Sequence, residues 1–124
     1  MDNENAVVRQ CVAVTQAEFA GRLDEARRLA WLAWQAATDD YEACIAAHYV
    51  ARYEDSKEGA LHWNQKALAC ALAVKDSRAE SFYPSLYLNM GRAYENMGDE
   101  AAAQGYYALA ARLGVDHQGE DNAA

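Results

Sequence analysis

Residues Pro84 to Leu113 read PSLYLNMGRAYENMGDEAAAQGYYALAARL, and the stretch divides at Gly98–Asp99 into two apolar-striped segments of helical length. Gly98 tolerates the left-handed conformation in which helices commonly end, and Asp99 offers a side-chain oxygen to the unpaired N–H groups of the next helix. Tyr87, Met90, Gly91 and Tyr94 share one face before the break, as Ala103, Tyr107 and Ala110 do after it. The pattern predicts a helical hairpin. Gly91, Ala103 and Ala110 are small enough for close helix approach, and Tyr94 and Tyr107 are expected to fill the wedge towards the neighbouring hairpin.

Two earlier segments read the same way. From about Ala6, the residues Val7, Cys11, Val14, Ala17 and Ala20 keep helical spacing as far as a turn at Gly21–Arg22. Asp24 and Glu25 then suit a helix N-terminus, and Ala26, Leu29, Ala30, Ala33 and Ala37 form a second stripe. After Asp39–Asp40 a third helix carries Cys44, Ala47, Tyr49, Ala51 and Tyr53 and stops at Glu54–Asp55. A fourth restarts with Asp55 or Ser56 as its cap and runs through Ala60, Trp63, Ala67 and Leu68. Ala60 follows Ala26 by 34 residues, and Ala67 follows Ala33 by the same interval. From Ala60 to Ala103 the interval is 43, nine more. The excess is expected in a helix running on from Trp63 to about Lys75, a turn at Asp76–Ser77 and an early start to the next helix, with Pro84 in or near its first turn.

Tyr87, Met90, Gly91 and Tyr94, spaced as W-x2-L-G-x2-Y, together with Ala103, Tyr107, Ala110 and the 34-residue interval, resemble the tetratricopeptide (TPR) repeat, whose period is about 34 residues. The resemblance spans about residues 7–117 and is most specific in the third copy. It implies an all-α fold, a right-handed α-solenoid of three antiparallel helix pairs and six helices. The expected hairpins are about 7–38, 41–75 and 78–113, within a domain of residues 6–114. Residues 1–5 are expected to be disordered, as is an acidic tail at 115–124. An Ala-rich antiparallel bundle shares the helical periodicity but does not require the glycine-turn and tyrosine pattern. Solenoids of this kind usually end in a polar capping helix, and no helix is read after Leu113, so Tyr106, Ala108 and Leu109 are expected on a face open to self-association or to another protein.

At 124 residues, with 52% hydrophobic residues and a single Pro, the chain has material for one helical core without disulfide staples. Nineteen acidic against eleven basic side chains give a net charge of −8, with no Lys/Arg cluster of the kind that tracks phosphates, which argues against nucleic acid as a partner. No segment reaches the length of an apolar membrane span, and the start, MDNENAVVRQ, lacks a basic then apolar leader; a cytoplasmic location is expected. Cys11, Cys44 and Cys70 form no C-x-x-C pair and read as reduced, buried hydrophobes.

The resemblance implies a concave groove lined by the first helix of each hairpin. Carried onto this chain, it selects Cys11, Thr15, Glu18 and Phe19; then Ile45, Tyr49, Arg52 and Tyr53; then Leu88, Asn89, Arg92 and Glu95. Phe19, Tyr49, Arg52, Tyr53, Asn89, Arg92 and Glu95 are therefore the candidate partner-binding residues, since Tyr and Arg are enriched at binding hot spots. An alternative packs the two tyrosines between hairpins and leaves the arginines to neutralise Glu18 and Glu95. Cys11 and Thr15 stand where one subclass of the family carries a Lys and Asn that grip a peptide carboxylate, so that clamp is not expected.

Cys44 and His48, four apart, have the spacing of a metal-ligand pair with His62 as a third donor; structural roles are the simpler reading, and no cofactor or metal is expected. Trp31, Trp34 and Trp63 are expected in inter-hairpin packing or on a convex patch. With no G-x-S-x-G, phosphate-binding glycine loop or H-E-x-x-H, no catalytic residues are assigned. The reading is a non-enzymatic module that binds a protein or peptide and can self-associate through its C-terminal hairpin. A small-ligand or metal-binding helical protein centred on Tyr49, His48 and Cys44, or a structural subunit of an oligomer, are the alternatives.

Overall fold

A computed structural model describes residues 5–114; of residues 1–5 and 115–124, expected to be disordered, all but Asn5 lie outside them, and Asn5 is ordered as a helix cap. The described residues contain six α-helices, α1 (Ala6–Phe19), α2 (Leu23–Ala36), α3 (Asp40–Arg52), α4 (Lys57–Ala73), α5 (Tyr83–Asn96) and α6 (Glu100–Arg112), and no strand. Each even-numbered helix packs on the one before it, and α2 on α3 and α4 on α5 join the pairs, a pattern consistent with a helical repeat.

Local chemistry sets the boundaries. Asn5, Asp39, Ser56 and Asp99 cap α1, α3, α4 and α6, each accepting a backbone N–H of the first turn with its side-chain oxygen. Between hairpin helices the chain reverses through Gly21 (φ 78°) and Gly98 (φ 83°), in the region where a Cβ is strained. The nine extra residues lie between α4 and α5, as expected, but take a different form. Helix α4 ends at Ala73, short of Lys75, and Asp76 instead caps a 3-10 helix, Ser77–Phe82, that leads into α5 with Pro84 in its first turn. Pro84 lacks an N–H that the first turn would leave unpaired in any case.

Small residues set the spacing within each pair. Ala26, Ala33, Ala67, Ala103 and Ala110 are all fully buried. In the third pair a Cβ placed on Gly91 would run into the ring of Tyr107, whose hydroxyl donates to Glu95 at 3.1 Å. Tyr107 therefore packs inside its own hairpin, not in the wedge between hairpins. That wedge is filled by Tyr94, whose hydroxyl accepts from Gln65 on α4 and whose ring stacks on Tyr106 at 5.7 Å. Tyr106, expected on an open outer face, is thereby turned back towards α5, where it also meets Tyr87 and packs on the core.

The first two pairs are joined by aromatic and ionic contacts. Trp63 of α4 is buried between Trp31 and Trp34 of α2, edge-on to each at 5.3 and 5.0 Å, with the Lys66 ammonium 5.7 Å from the Trp34 and Trp63 ring centres. Arg27 of α2 donates to the Tyr53 carbonyl and to Asp55, holding the turn between α3 and α4. Asn5 donates to Glu42, which also accepts from the Thr38 backbone and hydroxyl.

Replacing Gly91 with Ala tests the close approach. Helix propensity alone favours Ala by about 1 kcal/mol. Overpacking against Tyr107 costs about 1–3 kcal/mol. The melting temperature is expected to fall, and to recover when Tyr107→Leu is added; a rise in the single variant contradicts the packing.

Candidate functional site

Helices α3 and α5 present two adjoining cavities that share His48. The first, of about 290 Å³, lies between α3 and the 3-10 helix and start of α5; Ile45, Tyr49, Phe82 and Leu86 supply its apolar wall, and Ser81 and Ser85 stand beside them. The second, of about 190 Å³, is reached from α3, α4 and α5 and is polar, with Arg52, Asn64, Asn89, Arg92 and Asn96 in its lining. The 3-10 helix supplies one side of the first cavity: it carries Phe82 onto Tyr41, ring to ring at 6.1 Å, and places Ser81 in the lining with Cys44 and His48.

His48 is half-buried at the junction, its ring edge-on to Tyr49 and its Nδ1 3.5 Å from the Asn89 amide nitrogen, at the limit of a hydrogen bond. Burial and, second, the neighbouring Arg52 charge hold its pKa below the ordinary 6.5. Arg52 itself lies across the α1–α3 boundary, its Nε and Nη2 donating to the two Glu18 oxygens at 3.1 and 2.9 Å. That bidentate contact holds the Glu18 carboxyl below its usual range. Both groups are solvent-exposed enough for screening to leave the pair a modest stabiliser.

The sequence candidates scatter. Tyr49 lines the apolar cavity, and Arg52, Asn89 and Arg92 line the polar one. Tyr53 is buried instead, and its hydroxyl, with no hydrogen-bond partner of normal geometry, has its pKa raised by burial and then by the Glu18 charge. Phe19 is 87% exposed at the end of α1 and belongs to neither cavity. Glu95 accepts from Tyr107 within the third hairpin. Cys11 is buried, with its thiol pushed up to about 12 by burial, so it is core and not groove. Phe82, Leu86, Asn64 and Asn96 were missed by sequence reasoning. The nine-residue excess was the available signal for Phe82; Asn64 sits on a second helix, where the groove rule does not look.

Cys44 is buried, its thiol raised to about 12 chiefly by burial, and its Sγ donates to the Tyr41 carbonyl at 3.1 Å. His62 is exposed and edge-on to Trp63. The described residues contain no group of three His, Cys, Asp or Glu side chains that could hold a metal ion. None of their helices is long and apolar enough to cross a membrane. Comparison of the chain with protein-family models, with curated proteins and with solved structures finds no match.

The lowered His48 pKa has a sign. Below the ordinary value of 6.5, the unfolded chain takes up a proton that the folded chain resists, so stability is lost as pH falls through that value. Between about pH 7.5 and 5.5, where carboxylates stay ionised, the melting temperature is expected to fall more for the wild type than for His48→Gln. Parallel curves contradict the assignment.

Proposed function

We propose that the protein is a non-catalytic interaction module of the tetratricopeptide type, a right-handed stack of three helix pairs that binds a protein or peptide segment along α3 and α5. The observation that carries this reading is the pair of cavities on those two helices, one apolar and one polar, joined at His48. An apolar cavity beside convergent polar groups is the usual form of a recognition site. Its walls are preformed by packing that serves the fold: Leu86 and Ile45 belong to the core, and Phe82 is held by Tyr41. Binding then spends little on ordering the receptor. The Trp31–Trp34–Trp63 group offers no comparable opening, since Lys66 already covers two of its rings.

A photo-reactive amino acid placed at exposed Ser85, on the rim of the apolar cavity, is expected to cross-link a partner in extract of the native cell, and the yield should drop on Tyr49→Ala. The same probe at exposed Ala69 of α4 serves as the control. Cross-links from position 69 alone, or a yield indifferent to Tyr49, would place recognition elsewhere.

A further inference from the structure

We propose that the α3–α5 face selects a peptide segment in which an apolar side chain is accompanied, two to four residues away in an extended chain, by an acidic side chain. This rests on the reading of that face as a peptide groove and adds the chemistry of its occupant. The chain carries a net charge of −8, yet the charged residues lining the polar cavity are Arg52 and Arg92, and no carboxylate lines it. Asn64, Asn89 and Asn96 surround them with amides able to donate to an anion. A guanidinium has five N–H groups, and the Glu18 contact uses two nitrogens of Arg52, so donors remain for a second carboxylate.

The shape of the polar cavity chooses the source of the carboxylate. Helix α4 packs against both α3 and α5, and its Ala60 and Asn64 close the cavity on that side. A side chain can reach that wall from a backbone lying along α3 and α5, whereas a chain end would have to carry its backbone in. The apolar cavity takes the other anchor. Along α5 and the preceding 3-10 helix its lining centres near residues 82–86, and that of the polar cavity near 89–96. Along α3 the offset is shorter, and together they put the two anchors about 10 Å apart at 1.5 Å of rise per helical residue. An extended peptide covers that distance in about three residues at 3.3 Å each.

The test is selection of the full-length protein against short random peptides displayed with their C-termini joined to the phage coat. The enriched sequences are expected to pair an apolar residue with Asp or Glu two to four positions away. A synthetic copy of the best one, blocked at both ends, should lose about tenfold in affinity on Glu→Gln or Asp→Asn and bind more weakly as salt rises. A similar loss is expected in the protein variants Arg92→Gln and Asn96→Asp, the second placing a carboxylate in the polar cavity from an exposed position. Each variant is compared only where its circular dichroism and melting match the wild type. Enriched peptides that lack an acid, or whose binding ignores Asn96→Asp, overturn the inference; if that binding still depends on Tyr49, the groove reading stands. Peptides that bind only from a second library with free C-termini overturn the side-chain source. A dimer seen by sedimentation that Tyr49→Ala or Asn96→Asp dissociates puts a second copy in the groove and overturns it too. No enrichment from either library removes the inference and the groove reading together.

Discussion

Close approach of two helices, allowed by residues with little or no side chain, is the constraint on which the remaining packing depends. Ala26 and Ala33 on α2, Ala67 on α4, and Ala103 and Ala110 on α6 are buried without residual exposure, at positions seven residues apart within a helix. In the third pair Gly91 goes further and lets the Tyr107 ring occupy the space of a Cβ. Beyond that narrow contact, other large side chains act between pairs. Trp63 against Trp31 and Trp34, and Tyr94 against Gln65, do so. A pair that small buries too little surface to stand alone, so stacking and stability are one property here.

Stacking also aligns equivalent positions of successive pairs. Glu18 and Arg52 lie 34 residues apart, the interval that separates Ala26 from Ala60, and they meet as a bidentate ion pair. The contact tethers α1 to α3 while turning the Arg52 guanidinium to the mouth of the polar cavity. The next interval is longer by nine residues, and the chain spends them on the 3-10 helix Ser77–Phe82. That detour separates the start of α5 from α3 and leaves the apolar cavity between them, with Phe82 propped on Tyr41 and the Arg78 guanidinium 4.4 Å from the Tyr41 ring centre. The longer step between the second and third pairs is thus the origin of the opening.

The six helices, the caps at Ser56 and Asp99 and the turns at Gly21 and Gly98 were legible in the sequence because each is a local event: a periodic stripe, an acceptor side chain, a residue tolerant of positive φ. What local pattern could not place was the fate of a side chain with two available neighbours. Tyr107 is four residues after Ala103 on the core stripe, and only the missing Cβ of Gly91 draws it into its own hairpin. Tyr49 on α3 and Tyr53 just after it are four apart, yet Tyr53 is buried beside the Glu18–Arg52 pair and Tyr49 lines a cavity. Half of the candidate site was readable from groove spacing on first helices, through Tyr49, Arg52, Asn89 and Arg92. The other half, Phe82, Leu86, Asn64 and Asn96, depends on the insertion and on how α4 closes the gap, which are tertiary facts.

Amide hydrogen exchange along the full chain, with and without a bound partner segment, asks most directly whether α3 and α5 form the recognition face. Slowed exchange in the second half of α3, in Ser77–Phe82 and along α5, with α2 and α6 unchanged, is the predicted result. Protection confined to α2, α4 or α6, with α3 and α5 unaffected, would contradict it.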